Sequence, residues 1–410
     1  MKAILSYKKS QNNSFLITIP GSKSESNRLL ILQALYKNLT INNLSTSDDT
    51  QCLIQGLESN NGTVDIHHAG TAMRFLTAYF ASKENTDITL TGSNRMQERP
   101  IKILVDALTK LGADINYLKN EGFPPLKVKG KLLEKSTLKI NANVSSQYIT
   151  ALMLIAPSLK NGLKIELEGE ITSIPYIEMT LDLLQKIGVT CSLDQNCITI
   201  EALREIKDLS IDVESDWSSA SYFYSMVALS ENMVITLKYF RKNSLQGDSD
   251  LAEIYKSLGV STEFNSSENT ITLRRNDKKV SSFLELNLNH TPDIAQTIVV
   301  TCLGLGITCK LTGLKTLKIK ETDRLVALDV ELSKLGANCK ITNDSIELLS
   351  SSEINPNILI NTYQDHRMAM AFAPLSLVTA IEIKEPNVVS KSYPTYWEGL
   401  QNIGVEVQIK

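Results

Sequence analysis

Five stretches of the chain share one pattern: an amphipathic run ends in Leu-Gly or Ile-Gly, and alternating apolar residues follow. They are LVDALTKLGADINYL, TLDLLQKIGVTCSL, LAEIYKSLGVSTEF, VELSKLGANCKI and EGLQNIGVEVQI. Their glycines are Gly112, Gly188, Gly259, Gly336 and Gly404, separated by 76, 71, 77 and 68 residues. A period that switches from 3.6 to 2 predicts a helix followed by a strand, and each glycine suits the left-handed position that closes a helix. A weaker sixth member, TQCLIQGLESNNGTVDI, precedes them. Such self-similarity predicts a chain built from copies of one helix-plus-strand unit.

A second recurring pattern is a polar turn that opens an apolar helix. It occurs in PGSKSESNRLLILQAL, HHAGTAMRFLTAYF, NVSSQYITALMLIA, ESDWSSASYFYSMVAL, TPDIAQTIVVTCL and QDHRMAMAFAPL. Candidate caps are Ser22, Thr71, Ser145, Asp216, Thr291 and Asp365. Ser22 with Glu25 fits a capping box, and Thr291-Pro292 puts proline at the first helical position. The openings keep the spacing of the glycines, except that Lys23 and Gly70 are only 47 residues apart. The first unit is therefore shortened. Six units predict two domains of three, with the chain crossing near Pro20-Gly21 and around Ile211–Glu214.

Composition narrows the function. The 410 residues are 42% hydrophobic and 21% charged, with 42 basic against 45 acidic residues. That balance argues against a surface coated for nucleic acid. The first twenty residues lack a signal peptide's apolar stretch, and the longest uncharged run, Ile294 to Cys309, is 16 residues with Gln296 and two glycines inside it. No membrane span is expected, and the expected location is the cytoplasm. The six cysteines form no CxxC, and His67 and His68 are adjacent, so in a strand they face opposite sides. A structural zinc site is not expected, and the chemistry falls to Lys, Arg, Asp and Glu.

Helix starts carry free N–H groups and a positive dipole end, so they bind anions. The plain alternative is that Ser, Thr and Asp there only cap their own helices. Basic residues at the same turns weigh against it: Lys23, Arg28, Arg74 and Arg367, joined by Arg95, Arg99, Lys320, Arg324 and Lys391 in other short polar motifs. Nine cations in recurring turns of a net-acidic chain describe a focused anion site. Competing motifs are absent. GSKS lacks the glycine spacing of a phosphate-binding loop, and Gly304-Leu305-Gly306 lacks a third glycine. No GxSxG elbow occurs, and His290 with Asp293 in HTPD reads as a loop and cap rather than half a metal site.

Taken together, the motifs resemble the 3-phosphoshikimate 1-carboxyvinyltransferase (5-enolpyruvylshikimate-3-phosphate synthase) family of enolpyruvyl transferases. The matching strings are PGSKSxSNR (20–28), AGTAMR (69–74), RMxERP (95–100), SSQ (145–147) and PYI (175–177). They continue with SSASYF (218–223), PD (292–293), KETDR (320–324), DHRMAM (365–370) and Lys391 of SKSYP. The match runs in order from residue 20 almost to the C-terminus. The resemblance implies an α/β fold of two domains, each of three βαβαββ units, an inside-out α/β barrel arrangement with helix N-termini lining the cleft between domains. It divides the chain into 21–213 and 1–20 plus 214–410, with the domains closing over shikimate 3-phosphate.

It also implies a reaction: phosphoenolpyruvate gives its carboxyvinyl group to the 5-hydroxyl of shikimate 3-phosphate, and phosphate leaves, a step in aromatic amino acid biosynthesis. The two substrates together bring roughly −5 to −6 of charge, for which nine cations are a fitting counterweight. The resemblance implies no cofactor, no metal, no nucleic-acid or membrane partner, and a monomer. Carried over by position, Lys23, Ser24, Arg28, Ser145, Ser146, Gln147, Ser173, Asp293, Thr316 and Lys320 would bind shikimate 3-phosphate, with Tyr176 nearby. Lys23, Gly70, Arg99, Gln147, Arg324, Arg367 and Lys391 would bind phosphoenolpyruvate. Asp293 is the candidate base for the 5-hydroxyl, Glu321 the candidate for proton traffic at the methylene carbon, and Lys23 an acid and charge stabiliser.

Several positions depart from the family pattern. His68 stands where asparagine is usual, Phe75 where proline follows AGTAMR, and Thr316 where an asparagine meets the shikimate phosphate. Bulk at Phe75 is expected to alter sensitivity to glyphosate, the inhibitor typical of the family. Two alternatives stand beside the main reading. One is a relative that transfers the same group to a UDP-amino sugar and uses a reactive cysteine, although TGSNRMQERP holds none at the matching loop. The other is a catalytically inactive anion-binding protein on the same scaffold.

Overall fold

The repeated pattern reappears as repeated sheets. A computed structural model describes residues 1–8, 12–141, 146–169, 171, 174–276, 280–351 and 353–410. The chain divides into two compact units, Gly21–Val213 and Met1–Pro20 together with Glu214–Lys410. Five four-stranded sheets share one strand order, and a sixth sheet has two strands; no closed barrel forms among the described residues.

In the Gly21–Val213 unit, strand Asn61–Asp65 pairs in parallel with Asp87–Thr91. That strand then pairs antiparallel with Leu126–Lys129, which pairs antiparallel with Asp114–Tyr117 at the far edge. Helix Gly70–Ser82 links the parallel pair, and Lys102–Leu111 leads to the hairpin. The same arrangement recurs with Thr137–Asn141, Leu163–Glu168, Cys197–Ile200 and Cys191–Asp194. In the shortened unit only the parallel pair exists, Leu209–Asp212 beside Leu39–Asn42. After helix Asp48–Leu57 the chain passes directly into the next sheet at Asn61, so the missing part is the antiparallel hairpin.

The other unit contains three complete copies, and the last is closed by the N-terminus. Strand Lys2–Tyr7 fills the place of its fourth strand, between Ile381–Lys384 and Val405–Ile409.

The five expected glycines close their helices. Gly112, Gly188, Gly259, Gly336 and Gly404 have φ of 111°, 96°, 84°, 92° and 94°, a region costly for residues with a Cβ. The sixth copy differs. Gly56 lies inside helix Asp48–Leu57, where a Cβ would come 2.4 Å from Leu76 Cδ1, so its role is close helix packing.

Helices that follow a first strand are buried on nearly every side, which their near-continuous apolar and small residues allow. Trp217–Leu229 buries all but its last residue, and Ala295–Leu305 is buried from Ala295 through Leu303. Ser221 hydrogen-bonds Thr297 at 3.0 Å, and Thr301 donates to Ser225 at 2.7 Å, so the small polar residues satisfy one another between helices. No helix among the described residues is long and apolar enough to cross a membrane.

Candidate active site

In each unit several of the expected residues fall at the first turns of buried helices, and others lie in the turns between elements. In the Gly21–Val213 unit, Ser22 caps helix Lys23–Leu35 by accepting from the Glu25 N–H at 3.4 Å, so Lys23 and Ser24 open the helix. One turn on, Arg28 is 4% exposed. Its Nε donates to Thr180 Oγ1 at 2.9 Å, Nη1 to the Ser24 carbonyl at 2.7 Å, and Nη2 to the Tyr176 carbonyl at 3.3 Å and Thr150 Oγ1 at 3.4 Å. The rings of Tyr176 and Phe75 lie 5.6 and 5.9 Å from Arg28 Cζ. Arg28 thus joins four helices, and these four acceptors are all neutral. Burial lowers its ordinary value to about 10, with Tyr176 and Glu25 opposing.

Arg74 repeats the situation. It donates to the carbonyls of Gly70 at 3.1 Å and Pro100 at 3.0 Å, and Tyr148 donates to the same Pro100 carbonyl at 2.6 Å. Burial again lowers it to about 10, and the neighbouring charge of Arg99 adds to the fall. Arg99 itself lies over the start of helix Gly70–Ser82: a Cβ on Gly70 would come 2.5 Å from Arg99 Nη1. Two cations at the positive end of a helix repel one another until an anion joins them. Gln147 Nε2 donates to Thr71 Oγ1 at 3.4 Å, joining the first turns of Ser146–Ile155 and Gly70–Ser82.

Two expected caps need correction. Thr71 is inside its helix, and the cap position is Ala69, with no side-chain cap bond, because the helix begins at Gly70 beneath Arg99. Thr291 occupies the cap position before Pro292, but its side chain makes no cap bond. Ser145 and Ser173 lie outside the described residues. Ser146 is buried at the start of its helix.

In the second unit the cations are held by carboxylates. Arg324, 1% exposed, opens helix Arg324–Lys334. Its Nε donates to Asp365 Oδ2 at 2.7 Å, Nη1 to Asp293 Oδ1 at 2.9 Å, and Nη2 to Glu321 Oε2 at 2.9 Å. Arg367 donates to the Asp293 carbonyl at 3.1 Å and Ser218 Oγ at 3.2 Å, and its Nη2 is 3.2 Å from Asp293 Oδ2. Lys320 Nζ completes the group at 3.5 Å from Asp293 Oδ1. Burial opposes the charge on both arginines. For Arg324 the carboxylates of Asp365, Glu321 and Asp293 outweigh it, and for Arg367 Asp293 leads the opposing charges, so both are raised.

Asp365 caps helix His366–Phe372 by accepting from the Arg367 N–H at 2.9 Å, so one carboxylate positions both arginines. Just before it, Tyr363 and Gln364 are consecutive left-handed residues with φ of 53° and 55°. Lys391 Nζ donates to the Gln364 carbonyl at 2.7 Å, and the Thr316 hydroxyl is buried on the turn Lys315–Ile319.

Three participants carry no local signal in the sequence. Asp365 reads as a cap, although it also grips Arg324 from 41 residues away. Tyr148 reads as one more apolar position in its helix. Asp248, whose carboxylate accepts from the Ser218 hydroxyl, sits 30 residues away in an ordinary polar turn. Among the described residues no group of three or more His, Cys, Asp and Glu is arranged to hold a metal. Burial pushes the Cys52 and Cys191 thiols up to about 11 and Cys339 to about 12, the opposite of a reactive thiolate.

The architecture is that of the enolpyruvyl transferases. Two solved structures of EPSP synthase from Acinetobacter baumannii superpose with TM-scores of 0.81 and 0.79, covering 100% of each chain at 20% and 19% identity. Residues 52–400 match the family EPSP synthase (3-phosphoshikimate 1-carboxyvinyltransferase). A 3-phosphoshikimate 1-carboxyvinyltransferase of Bacteroides fragilis (strain YCH46) is 47% identical over 397 residues, 96% of each chain. That of Shewanella pealeana is 37% identical over 417 aligned positions, 94% of this chain and 96% of its own. The chain belongs to the EPSP synthase family.

Proposed function

We propose that this protein transfers the carboxyvinyl group of phosphoenolpyruvate to the 5-hydroxyl of shikimate 3-phosphate and releases phosphate. In this reading the segments 21–213 and 1–20 plus 214–410 are two domains acting on one pair of substrates. Lys23, Ser24, Arg28, Ser145, Ser146, Gln147, Ser173, Asp293, Thr316 and Lys320 receive shikimate 3-phosphate. Lys23, Gly70, Arg99, Gln147, Arg324, Arg367 and Lys391 receive phosphoenolpyruvate. The buried guanidinium groups of Arg28 and Arg74, and the closeness of Arg99 to Arg74, favour this assignment, since a bound phosphate or carboxylate offsets the cost of burying or crowding them.

The single observation that carries the reading is the Asp293 carboxylate shared among Arg324, Arg367 and Lys320, with Glu321 on the same arginine. Anion-binding cations and proton-carrying carboxylates form one network. Arriving substrate anions compete for the two arginines, which loosens their hold on Asp293 and strengthens it as a base. Asp293 then takes the 5-hydroxyl proton while that oxygen bonds to C2 of phosphoenolpyruvate. The double-bond electrons take up a proton at C3 from Glu321 in its carboxylic-acid form, which becomes the carboxylate, with Lys23 as acid and as counter-charge for the tetrahedral adduct. Transfer of a C3 proton back to the Glu321 carboxylate re-forms the double bond as the C2–O bond to phosphate breaks and phosphate leaves.

The reading takes the protein as a cytoplasmic monomer that needs no metal, cofactor, membrane or nucleic acid. Its test is phosphate release on mixing the protein with both substrates. Release that requires shikimate 3-phosphate is expected; release indifferent to it, or none, refutes the reading.

A further inference from the structure

Asp248 is a buried carboxyl group that the reaction above does not use. It is 8% exposed in the turn Gly247–Asp250, and its Oδ2 accepts from the Ser218 hydroxyl. Ser218 Oγ also accepts from Arg367 Nη2 at 3.2 Å. The turn is anchored by a second residue. Gln246 Oε1 accepts from the Trp217 N–H at 3.0 Å, and its Nε2 donates to the Ser215 carbonyl at 2.8 Å. Both anchors meet the opening of helix Trp217–Leu229, so the carboxyl group has a fixed place beside Ser218. A hydrogen-bond chain results, the guanidinium donating to the hydroxyl and the hydroxyl to the carboxylate, in which each bond polarises the next.

We propose that Asp248 is a positioning residue that, through Ser218, holds the Arg367 guanidinium ready for the anionic substrate. The inference rests on the enolpyruvyl-transfer reading. A hydroxyl whose proton is drawn to a carboxylate is a stronger acceptor for the guanidinium. Once Asp248 is protonated it becomes a donor to Ser218, and that pull is lost.

The groups facing Asp248 come from three neighbouring elements: Asp293 from the turn Pro292–Ile294, Arg367 from helix His366–Phe372, and Asp216 with Ser218 from the start of Trp217–Leu229. Burial is the largest influence and raises the carboxyl, followed by the charge of Asp293. Arg367 and the Ser218 bond oppose the rise, Asp216 adds to it, and the result is about 7. Above that pH the carboxylate form strengthens the hold of Ser218 on Arg367; below it the protonated form weakens that hold, and Arg367 keeps its contacts with Asp293. The apparent affinity for phosphoenolpyruvate therefore falls as the solution is acidified through neutrality.

The test compares kcat/KM for phosphoenolpyruvate in the wild type, Asp248→Asn and Ser218→Ala between about pH 6 and 8. At the alkaline end Asp248→Asn loses about tenfold, the worth of one hydrogen bond to a charged group, and the loss lies in KM for phosphoenolpyruvate rather than for shikimate 3-phosphate. At the acidic end it converges on the wild type. The substrate's phosphate titrates identically in both proteins, so the difference between their profiles belongs to Asp248. Ser218→Ala flattens the same limb, and it decides the matter if Asp248→Asn fails to fold. An active wild type whose acidic limb is unchanged in the folded variants overturns this inference alone. A wild type that releases no phosphate overturns the functional reading and this inference with it.

Discussion

Arg324→Lys separates charge from geometry at the centre of the second unit. The guanidinium meets three carboxylates with three different nitrogens, at 2.7, 2.9 and 2.9 Å, and its side chain is 2% exposed. A lysine keeps the charge but offers a single nitrogen on an unbranched stem, so it retains one of these partners well and not all three. Two hydrogen bonds to charged groups are lost, each worth about 1.5–3 kcal/mol. The gross loss is about 3–6 kcal/mol, divided between folding and transition-state binding. Urea unfolding followed by circular dichroism reads the first share, and steady-state kinetics the second. Half the loss in each predicts an unfolding free energy lowered by about 2 kcal/mol and kcat/KM for phosphoenolpyruvate reduced at least tenfold. A variant with wild-type stability and wild-type kcat/KM would refute the reasoning, because charge alone would then suffice.

Two further outcomes follow from the first unit. Gly70→Ala places a methyl group 2.5 Å from Arg99 Nη1, the mobile end of a side chain, so the fold stays intact while the guanidinium shifts. A thermal melt within the usual range of surface substitutions, about ±0.5 kcal/mol, should accompany a raised KM for phosphoenolpyruvate; an unchanged KM would separate Arg99 from that substrate. Phe75, 1% exposed with its ring 5.9 Å from Arg28 Cζ, shapes the beginning of the same helix. Phe75→Pro should change glyphosate inhibition of phosphate release, and identical inhibition curves would contradict that role.

What the sequence made legible was local. A glycine closing a helix, Ser22, Asp216 or Asp365 reaching back to a helix N–H, and the switch from helical to strand period all act within a few residues. The cations and candidate carboxylates were legible because they stand in compact motifs such as KETDR and DHRMAM. Which of them pair was not. Arg324 finds Asp293 and Asp365 at separations of 31 and 41 residues, and Arg28 reaches Thr180 across 152. Such pairs are created when one repeat packs against another, and nothing beside either residue announces them. Thr71 differs from its expected cap position for a related reason. The close approach of Arg99 makes Gly70 the first helical residue, and that approach is set by Arg74 and Tyr148 holding the Pro100 carbonyl. Asp248 carries no signal because an isolated acid in a polar turn is ordinarily a solvated one.

The central claim is that this chain moves a carboxyvinyl group with Asp293 and Glu321 handling the protons. The most direct test is the mass of the product formed from phosphoenolpyruvate and shikimate 3-phosphate in heavy water, with Asp293→Asn alongside. The account predicts a product heavier than shikimate 3-phosphate by one carboxyvinyl group, deuterium entering its methylene carbon, and one phosphate released per product. Turnover should fall at least about a hundredfold in the variant, the lower range expected for losing a general base. Phosphate released without that product, or a variant as fast as the wild type, would contradict it.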